Sequence, residues 1–159
     1  MTQFDFGRSS AFHTPEESPG FLLWRASTLW RRAIEGVLKP FALTHPQFVI
    51  LATVGWMTKE GGKASQAEIG RQAGLDPNTT SQILRSLQIK ELIERPHAQD
   101  ERSKHPSLTK TGKALLGVVL PAVEKADAHF FAAVNLHQQK ALKALQILAG
   151  MREKGKKSS

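Results

Sequence analysis

Apolar residues at intervals of three and four predict a helix that begins at Phe21 and ends before Pro40. The stripe consists of Leu22, Ala26, Leu29, Ala33 and Val37, with Leu23, Trp30, Ile34 and Leu38 beside it. This apolar face is wide enough to contact two neighbours, which is typical of a helix at a dimer interface. Residues 1–20 show no such periodicity, so we expect a flexible arm there.

A second helix is predicted from the start signal at Thr44, Pro46 and Gln47, which is the pattern of a capping box. We expect this helix to cover residues 45–58. Its predicted core face consists of Phe48, Leu51, Ala52, Gly55 and Trp56. The two glycines at 61 and 62 are expected to prevent any extension.

Two short helices separated by a turn are predicted next. Ser65 with Glu68 is a second capping box, and the helix that it starts ends at Gly74. Asp76 then caps a helix that reaches about Lys90. The apolar side of this helix consists of Ile83, Leu84 and Leu87.

A hairpin and two further helices complete the predicted order. Residues 92–95 and 105–108 are expected to form short strands around a polar tip at 98–104. Pro106 has no N–H group, which counts against full pairing of the second strand. Thr109 caps a long helix that runs to about residue 134. That helix carries Leu115, Leu116, Val119, Val123, Ala126 and Phe130, and a last helix carries Leu142, Leu145, Ile147 and Leu148.

The succession of a short helix, a three-residue turn, a second helix and a hairpin is that of a winged helix-turn-helix. On the second helix, Asn78, Gln82 and Arg85 are separated by steps of four and three, so they share one face. Asn and Gln can pair with adenine and Arg with guanine, while the hydroxyls of Thr79 and Ser81 suit phosphate or thymine. We therefore predict that this helix reads double-stranded DNA.

The charge of the chain supports an acidic partner. There are 22 Lys plus Arg against 14 Asp plus Glu, a formal net charge of +8, which favours nucleic acid first and an anionic membrane surface second. Residues 75–108, however, contain five basic and five acidic residues. The net charge is therefore expected to give diffuse attraction, while specificity depends on a few neutral or singly charged side chains.

Five short segments carry a recognisable pattern: 43–48 (LTHPQF), 66–70 (QAEIG), 92–95 (LIER), 100–102 (DER) and 108–112 (LTKTG). In this order and spacing they resemble the MarR family of bacterial transcription regulators, over roughly residues 21–150. Two positions depart from the family pattern. Gln82 stands where many members have a basic residue, and Pro106 replaces the usual strand residue.

The resemblance implies a mainly α fold with a small β-hairpin wing, in which a homodimer reads a pseudo-palindromic operator. It divides the chain into an arm (1–20), a helical dimerisation region (21–44 and 109–150), a winged DNA-binding domain (45–108) and a basic tail (151–159). The DNA contacts expected from the helices are Gln66, Asn78, Thr79, Ser81, Gln82 and Arg85. In the wing, Asp100 is expected to hold Arg102 for the minor groove, with Lys104 on the same side of the strand.

The resemblance also implies that a small molecule, often aromatic, binds between the two regions and weakens DNA binding. Candidate contacts for this effector are Trp24, His45, Phe48 and Trp56, although such rings more often belong to the core. The predicted function is thus that of a repressor released by an effector, with no cofactor. The absence of cysteine excludes disulfides, thiolate metal sites and a thiol oxidation switch.

Two other regulatory or binding roles stay open at this point. One is an architectural or non-specific nucleic-acid-binding protein without an effector, which would show little sequence preference. The other is a metal-responsive regulator, since the chain has six histidines. His129 and His137 lie eight residues apart across a predicted break, so they do not form the i, i+4 pair that zinc sites often use.

Catalysis and membrane insertion are not expected. The nearest acid pairs, Glu16 with Glu17 and Asp100 with Glu101, lie in the arm and the wing tip, where no water-excluding pocket is predicted. No apolar run approaches the roughly 20 residues needed to span a bilayer, and the start lacks the features of a signal peptide. A cytoplasmic protein is the expectation.

Overall fold

The structure, a computed structural model, describes residues 5–95 and 105–151, without the side chains of 135–138. The helices are α1 (Phe6–Ser9), α2 (Pro19–Leu38), α3 (His45–Met57), α4 (Gln66–Ala73), α5 (Pro77–Ile89), α6 (Lys110–Phe131) and α7 (Gln138–Leu148). The strands are β1 (Ile93–Glu94) and β2 (Ser107–Leu108), and 3-10 turns cover Pro15–Glu17, Lys39–Phe41, Lys59–Gly61 and Ala132–His137. The predicted mainly α fold with a hairpin is confirmed.

The N-terminal segment contains more helix than the sequence predicted. Helix α1 and the turn at Pro15–Glu17 lie within the predicted arm, and α2 begins at Pro19 instead of Phe21. The hydroxyl of Ser18 accepts a hydrogen bond from the Phe21 N–H at 3.3 Å and caps α2. A serine followed by proline at the first helical position is itself a start signal, and the apolar periodicity alone did not reveal it.

Cap hydrogen bonds confirm the predicted starts of α3, α4, α5 and α6. At α3, the Thr44 hydroxyl accepts from the Gln47 N–H at 3.3 Å, and the Gln47 Oε1 accepts from the Thr44 N–H at 3.1 Å. Ser65 makes the same reciprocal pair at α4. The side chains of Asp76 and Thr109 each accept one backbone N–H at the starts of α5 and α6. Local chemistry therefore sets four helix boundaries.

Helices α2 through α6 and the hairpin share one hydrophobic core. Its completely buried members include Ile34, Leu38, Ile50, Leu51, Val54, Ile69, Leu84, Leu87 and Val119. The predicted core face of α3 is wrong at Trp56, whose side chain is 64% exposed, while Ile50 and Val54 are buried in its place. Because α3 has apolar residues on every side, the spacing of its residues does not identify the buried face.

The hairpin is shorter than predicted. Strands β1 and β2 pair antiparallel over two residues each, with Ile93 opposite Leu108 and Glu94 opposite Ser107. Pro106 is buried directly before β2, so its missing N–H removes no hydrogen bond from the paired residues. The predicted wing tip at 98–104 lies outside the described residues.

Helix α6 contains Pro121 and ends at Phe131, three residues before the predicted end. It lies against α2, where the core contains Val119 and Val123. Within residues 5–95 and 105–151, no single helix is long and apolar enough to cross a membrane. The segments Pro19–Phe41 and His45–Met57 are long and apolar enough only when taken together, and they are bent by 78° relative to each other.

Candidate nucleic-acid interface

Helix α5 has one buried side and one exposed polar side. Thr80, Leu84 and Leu87 are completely buried against the domain. The predicted base-reading residues Asn78, Gln82 and Arg85 are all exposed, and Thr79 and Ser81 are half-buried beside them. The structure therefore brings the predicted residues of α5 to one accessible surface.

The turn between α4 and α5 holds the two helices close together. Gly74 ends α4 in the left-handed conformation with φ 70°, which glycine adopts without strain. At Gly70 a Cβ atom would lie 2.7 Å from Oγ1 of Thr80, so only glycine allows this approach. The Thr80 hydroxyl in turn donates to the Asp76 carbonyl at 2.8 Å. The close approach of Gly70 to Thr80 therefore keeps α4 and α5 in direct contact.

Both helices of the helix-turn-helix have a carboxylate at the N-terminus. Asp76 accepts from the Thr79 hydroxyl at 2.6 Å and from the Thr79 N–H at 2.9 Å, and these bonds lower the pKa of Asp76. Hydrogen bonds from the Ser65 N–H and hydroxyl lower the pKa of Glu68 in the same way. Like ordinary carboxylates, both are negatively charged at neutral pH, and each complements the positive end of its helix dipole.

Arg95 also belongs to this surface, although the sequence pattern did not predict it as a site residue. Its Nη1 donates to Oε1 of Gln66, a predicted DNA contact, at 3.3 Å. Burial, followed by the charge of Arg85, lowers the pKa of Arg95. The three residues line a cleft of about 780 Å³ between α4, α5 and the base of the hairpin, together with Arg71 and Ser81. Arg95 is the last residue of the predicted strand 92–95, and this position at the base of the wing was the available signal.

The predicted wing contacts Asp100, Arg102 and Lys104 lie outside the described residues. Their proposed role in the minor groove stays a prediction. The base of the hairpin is closed by a hydrogen bond between the residues that flank the two strands. The hydroxyl of Thr109, before α6, donates to the carbonyl of Glu91, after α5, at 2.6 Å.

A second cleft, of about 720 Å³, lies between α3 and α6. Its lining includes Trp56, Lys59, Leu108, Lys113, Leu116 and Glu124. The Lys59 Nζ lies 3.5 Å from the centroid of the Trp56 ring, which is a cation–π contact. Trp56 is the one predicted effector residue that lines this cleft.

The other three predicted effector residues lie elsewhere. Phe48 is buried in the core, and Trp24 is 67% exposed on α2. The His45 ring meets Trp30 edge to face, with centroids 4.9 Å apart. Burial is the main cause that lowers the pKa of His45, and the negative charge of Glu35 opposes it. The structure therefore does not gather the four predicted residues around one cavity.

Exposed apolar side chains are concentrated on α2 and α7. On α2 they are Phe21, Leu22, Leu23, Trp24 and Leu29, and on α7 they are Leu142, Leu145, Ile147 and Leu148. Such a concentration of exposed apolar side chains is typical of a contact with another molecule. Within the described part of the chain, no group of three or more His, Asp or Glu side chains is arranged to hold a metal ion.

The fold and the exposed polar face of α5 define a winged helix-turn-helix DNA-binding protein. Residues 43–104 match the sequence profile of the MarR family. The chain is 37% identical over 145 residues to the uncharacterized HTH-type transcriptional regulator YdcH of Bacillus subtilis, covering 91% of this chain and 94% of that protein. It is 32% identical over 127 residues to the HTH-type transcriptional repressor Rv2887 of Mycobacterium tuberculosis, covering 79% and 88%. The chain belongs to the MarR family of transcriptional regulators, and these relatives are not enzymes.

Solved structures agree with this assignment. A MarR-family regulator from Rhodococcus sp. RHA1 superposes with a TM-score of 0.75 at 21% identity, covering 87% of this chain and 96% of that one, which supports the fold alone. Rv2887 in complex with DNA has a TM-score of 0.61 at 28% identity, covering 84% and 98%. Rv2887 in complex with salicylic acid has a TM-score of 0.58 at 29% identity, covering 80% and 94%.

Proposed function

We propose that this protein is a repressor that binds a pseudo-palindromic operator as a homodimer and is released by a small aromatic effector. The single observation that supports sequence-specific DNA binding is that α5 has an exposed polar side and a buried apolar side. Asn78, Gln82 and Arg85 are exposed, while Leu84 and Leu87 anchor the opposite side. Amide and guanidinium groups are suited to base edges in the major groove. The proposed wing contacts are Asp100, Arg102 and Lys104.

Homodimer formation is supported by the exposed apolar residues of α2 and α7. We assign residues 21–44 and 109–150 to the dimerisation region and 45–108 to DNA binding. A partner that covers Leu23 and Trp24 on α2, and Leu148 on α7, would remove large apolar groups from water. A leucine that passes from full exposure to full burial contributes about 1.5–3 kcal/mol, so the partly covered Leu23 and Leu148 would each contribute less.

Repression and effector release are supported by the relative Rv2887, whose name is that of a repressor and which forms complexes with DNA and with salicylic acid. In this chain, the cleft beside Trp56 is the proposed effector site. Its apolar wall at Leu108 and Leu116 suits a flat ring. The ammonium groups of Lys59 and Lys113 suit a carboxylate on that ring.

In vitro selection from random duplexes tests the DNA-binding part of the proposal. The expected result is a two-part palindrome, with half-sites about one helical turn apart, bound at least about 10³-fold more tightly than random duplex. Binding with little preference would instead identify an architectural protein. Sedimentation at micromolar concentration tests the dimer, and a monomer bound to one half-site would contradict it.

Titration with salicylate tests the effector site. We expect quenching of tryptophan fluorescence and release of the selected duplex. Trp56→Leu should abolish the release, and its affinity for the selected duplex without salicylate serves as the control, which should equal that of the wild-type protein. Release that is unaffected by Trp56→Leu would exclude this cleft as the effector site.

A further inference from the structure

A group of hydrogen bonds connects the start of α3 to the end of α5. Gln47, in the first turn of α3, donates from Nε2 to Oγ of Ser86 on α5 at 3.1 Å. Its Oε1 accepts from Nζ of Lys90 at 3.3 Å and from the Thr44 N–H at 3.1 Å. One half-buried amide therefore completes the α3 cap and holds two side chains of α5.

Lys90 also reaches the connection between α2 and α3. Its ammonium group donates to the carbonyl oxygen of Ala42 as well as to Gln47. Ala42 ends the 3-10 turn after α2 in the left-handed conformation, with φ 52°. A lysine ammonium has three N–H donors, so one side chain can bind the backbone before α3 and the side chain within it.

The contacts on α5 lie close to its base-reading residues. Ser86 and Lys90 are four residues apart and therefore share one side of the helix. Arg85 directly precedes Ser86, and Gln82 lies one turn earlier. Because a short helix moves as a rigid unit, restraining its C-terminal half also restrains the direction of its exposed face.

We propose that Gln47, Ser86 and Lys90 form a clamp that sets the orientation of α5 relative to α2. In the dimer, that orientation determines the separation of the two reading helices and hence the half-site spacing that the protein accepts. The three are positioning residues that act through Asn78, Gln82 and Arg85. This inference rests on the proposed function, since only a dimer on a two-part operator has such a separation.

The test compares the full-length wild-type protein with the double variant Ser86→Ala and Lys90→Met. These changes remove the acceptor and the ammonium group but leave the Thr44–Gln47 cap in place. Ser86→Thr with Lys90→Arg keeps the polar groups and serves as the conservative rescue. Gln88→Ala, at an exposed position between the two, is the matched control. The probes are the duplex selected by the wild-type protein, the same duplex with one base pair inserted at its centre, and a scrambled duplex.

For the wild-type protein, we expect the inserted base pair to weaken binding about tenfold or more. In the double variant, we expect selectivity for the chosen duplex over the scrambled one to fall about tenfold, and the penalty of the insertion to fall with it. Affinity for the scrambled duplex should change less than twofold. The rescue variant and Gln88→Ala should behave like the wild-type protein. A purely structural role would lower the unfolding midpoint without changing the insertion penalty.

The clamp is overturned if the folded double variant retains both the selectivity and the insertion penalty of the wild-type protein. Should the double variant fail to fold, Ser86→Ala alone provides the same comparison, with a smaller expected loss of about threefold. A wild-type protein that tolerates the insertion or binds all duplexes alike would contradict the proposed function as well. The two failures are therefore distinguished by the behaviour of the wild-type protein.

Discussion

The indole Nε1 of Trp30 on α2 donates a hydrogen bond to Oδ1 of Asp127 on α6 at 2.7 Å, joining residues that are 97 positions apart. The ring of His45, at the start of α3, also meets Trp30 edge to face. Helices α2, α3 and α6 are thus connected at one half-buried point. The stability of this junction can be measured directly.

Asp127→Ala removes the acceptor and leaves the Trp30 N–H without its partner in a half-buried site. We expect the free energy of unfolding to fall by about 1–3 kcal/mol, as is typical for a lost hydrogen bond to a charged group. Urea unfolding followed by circular dichroism measures it. Asp127→Asn retains an oxygen acceptor and should lose less. Equal stability of Asp127→Ala and the wild-type protein would contradict the importance of this bond.

Gly70→Ala should separate α4 from α5, because the new methyl group would lie 2.7 Å from Oγ1 of Thr80. We expect a loss of about 1–3 kcal/mol in unfolding free energy, typical of overpacking. Gly117→Ala on α6 is the matched control, since a Cβ there meets no atom within 4 Å. That control should instead be stabilising by about 0.5–1 kcal/mol. Similar changes for both variants would refute the close approach at Gly70.

His45 should make stability depend on pH. Burial lowers its pKa in the folded state, with Glu35 opposing this effect and Arg31 adding to it. The unfolded chain therefore takes up the proton at a higher pH than the folded one. The contribution of neutral His45 to the free energy of unfolding is complete above about pH 6.5, the usual pKa of His. It is lost as the pH falls from there towards the pKa of His45 in the folded state. Urea midpoints measured from pH 8 to pH 5 should decline more for the wild-type protein than for His45→Gln. Parallel pH profiles would exclude this histidine as the source.

Arg85→Ala and Gln82→Ala should each weaken binding to the selected duplex by about 1–3 kcal/mol and relax the preference at one base pair. The reason is that both side chains lie on the exposed face of α5, where base edges are accessible. Fluorescence anisotropy on point-substituted duplexes measures the effect. Gln88→Ala is the control, and equal losses on every duplex would indicate backbone contacts in place of base reading.

Arg102→Ala should weaken binding mainly to duplexes with a narrow, A·T-rich minor groove beside the half-site. Such grooves concentrate negative potential and favour an inserted arginine. Anisotropy on matched A·T-rich and G·C-rich flanks measures the difference. A loss that is the same on both flanks would argue against minor-groove insertion of this residue.

The helix boundaries were predictable because the signals are local. Thr44, Ser65, Asp76 and Thr109 each accept a backbone N–H within three residues of themselves, and a linear sequence shows that spacing. The same holds for the polar face of α5. Ser18 followed by Pro19 is a signal of this kind that apolar periodicity did not reveal.

The errors arise where several structures satisfy the same local pattern. Helix α3 is apolar on all sides, so the exposure of Trp56 depends on what the rest of the chain places around it. The hydrogen bond from Arg95 to Gln66 connects residues 29 positions apart, and that between Gln47 and Ser86 connects residues 39 positions apart. Both hydrogen bonds depend on how α3, α4 and α5 pack against one another. The periodicity of apolar residues along the chain does not predict that packing.

The carboxylates at the starts of α4 and α5 bear on how this fold meets phosphate groups. A helix N-terminus is an attractive site for any phosphate, whatever the neighbouring bases. Glu68 and Asp76 occupy both of these sites with negative charge from the chain itself. Negative charge at both positions is expected to weaken the attraction of these helix starts for any phosphate backbone and to lower the affinity for duplexes of unrelated sequence.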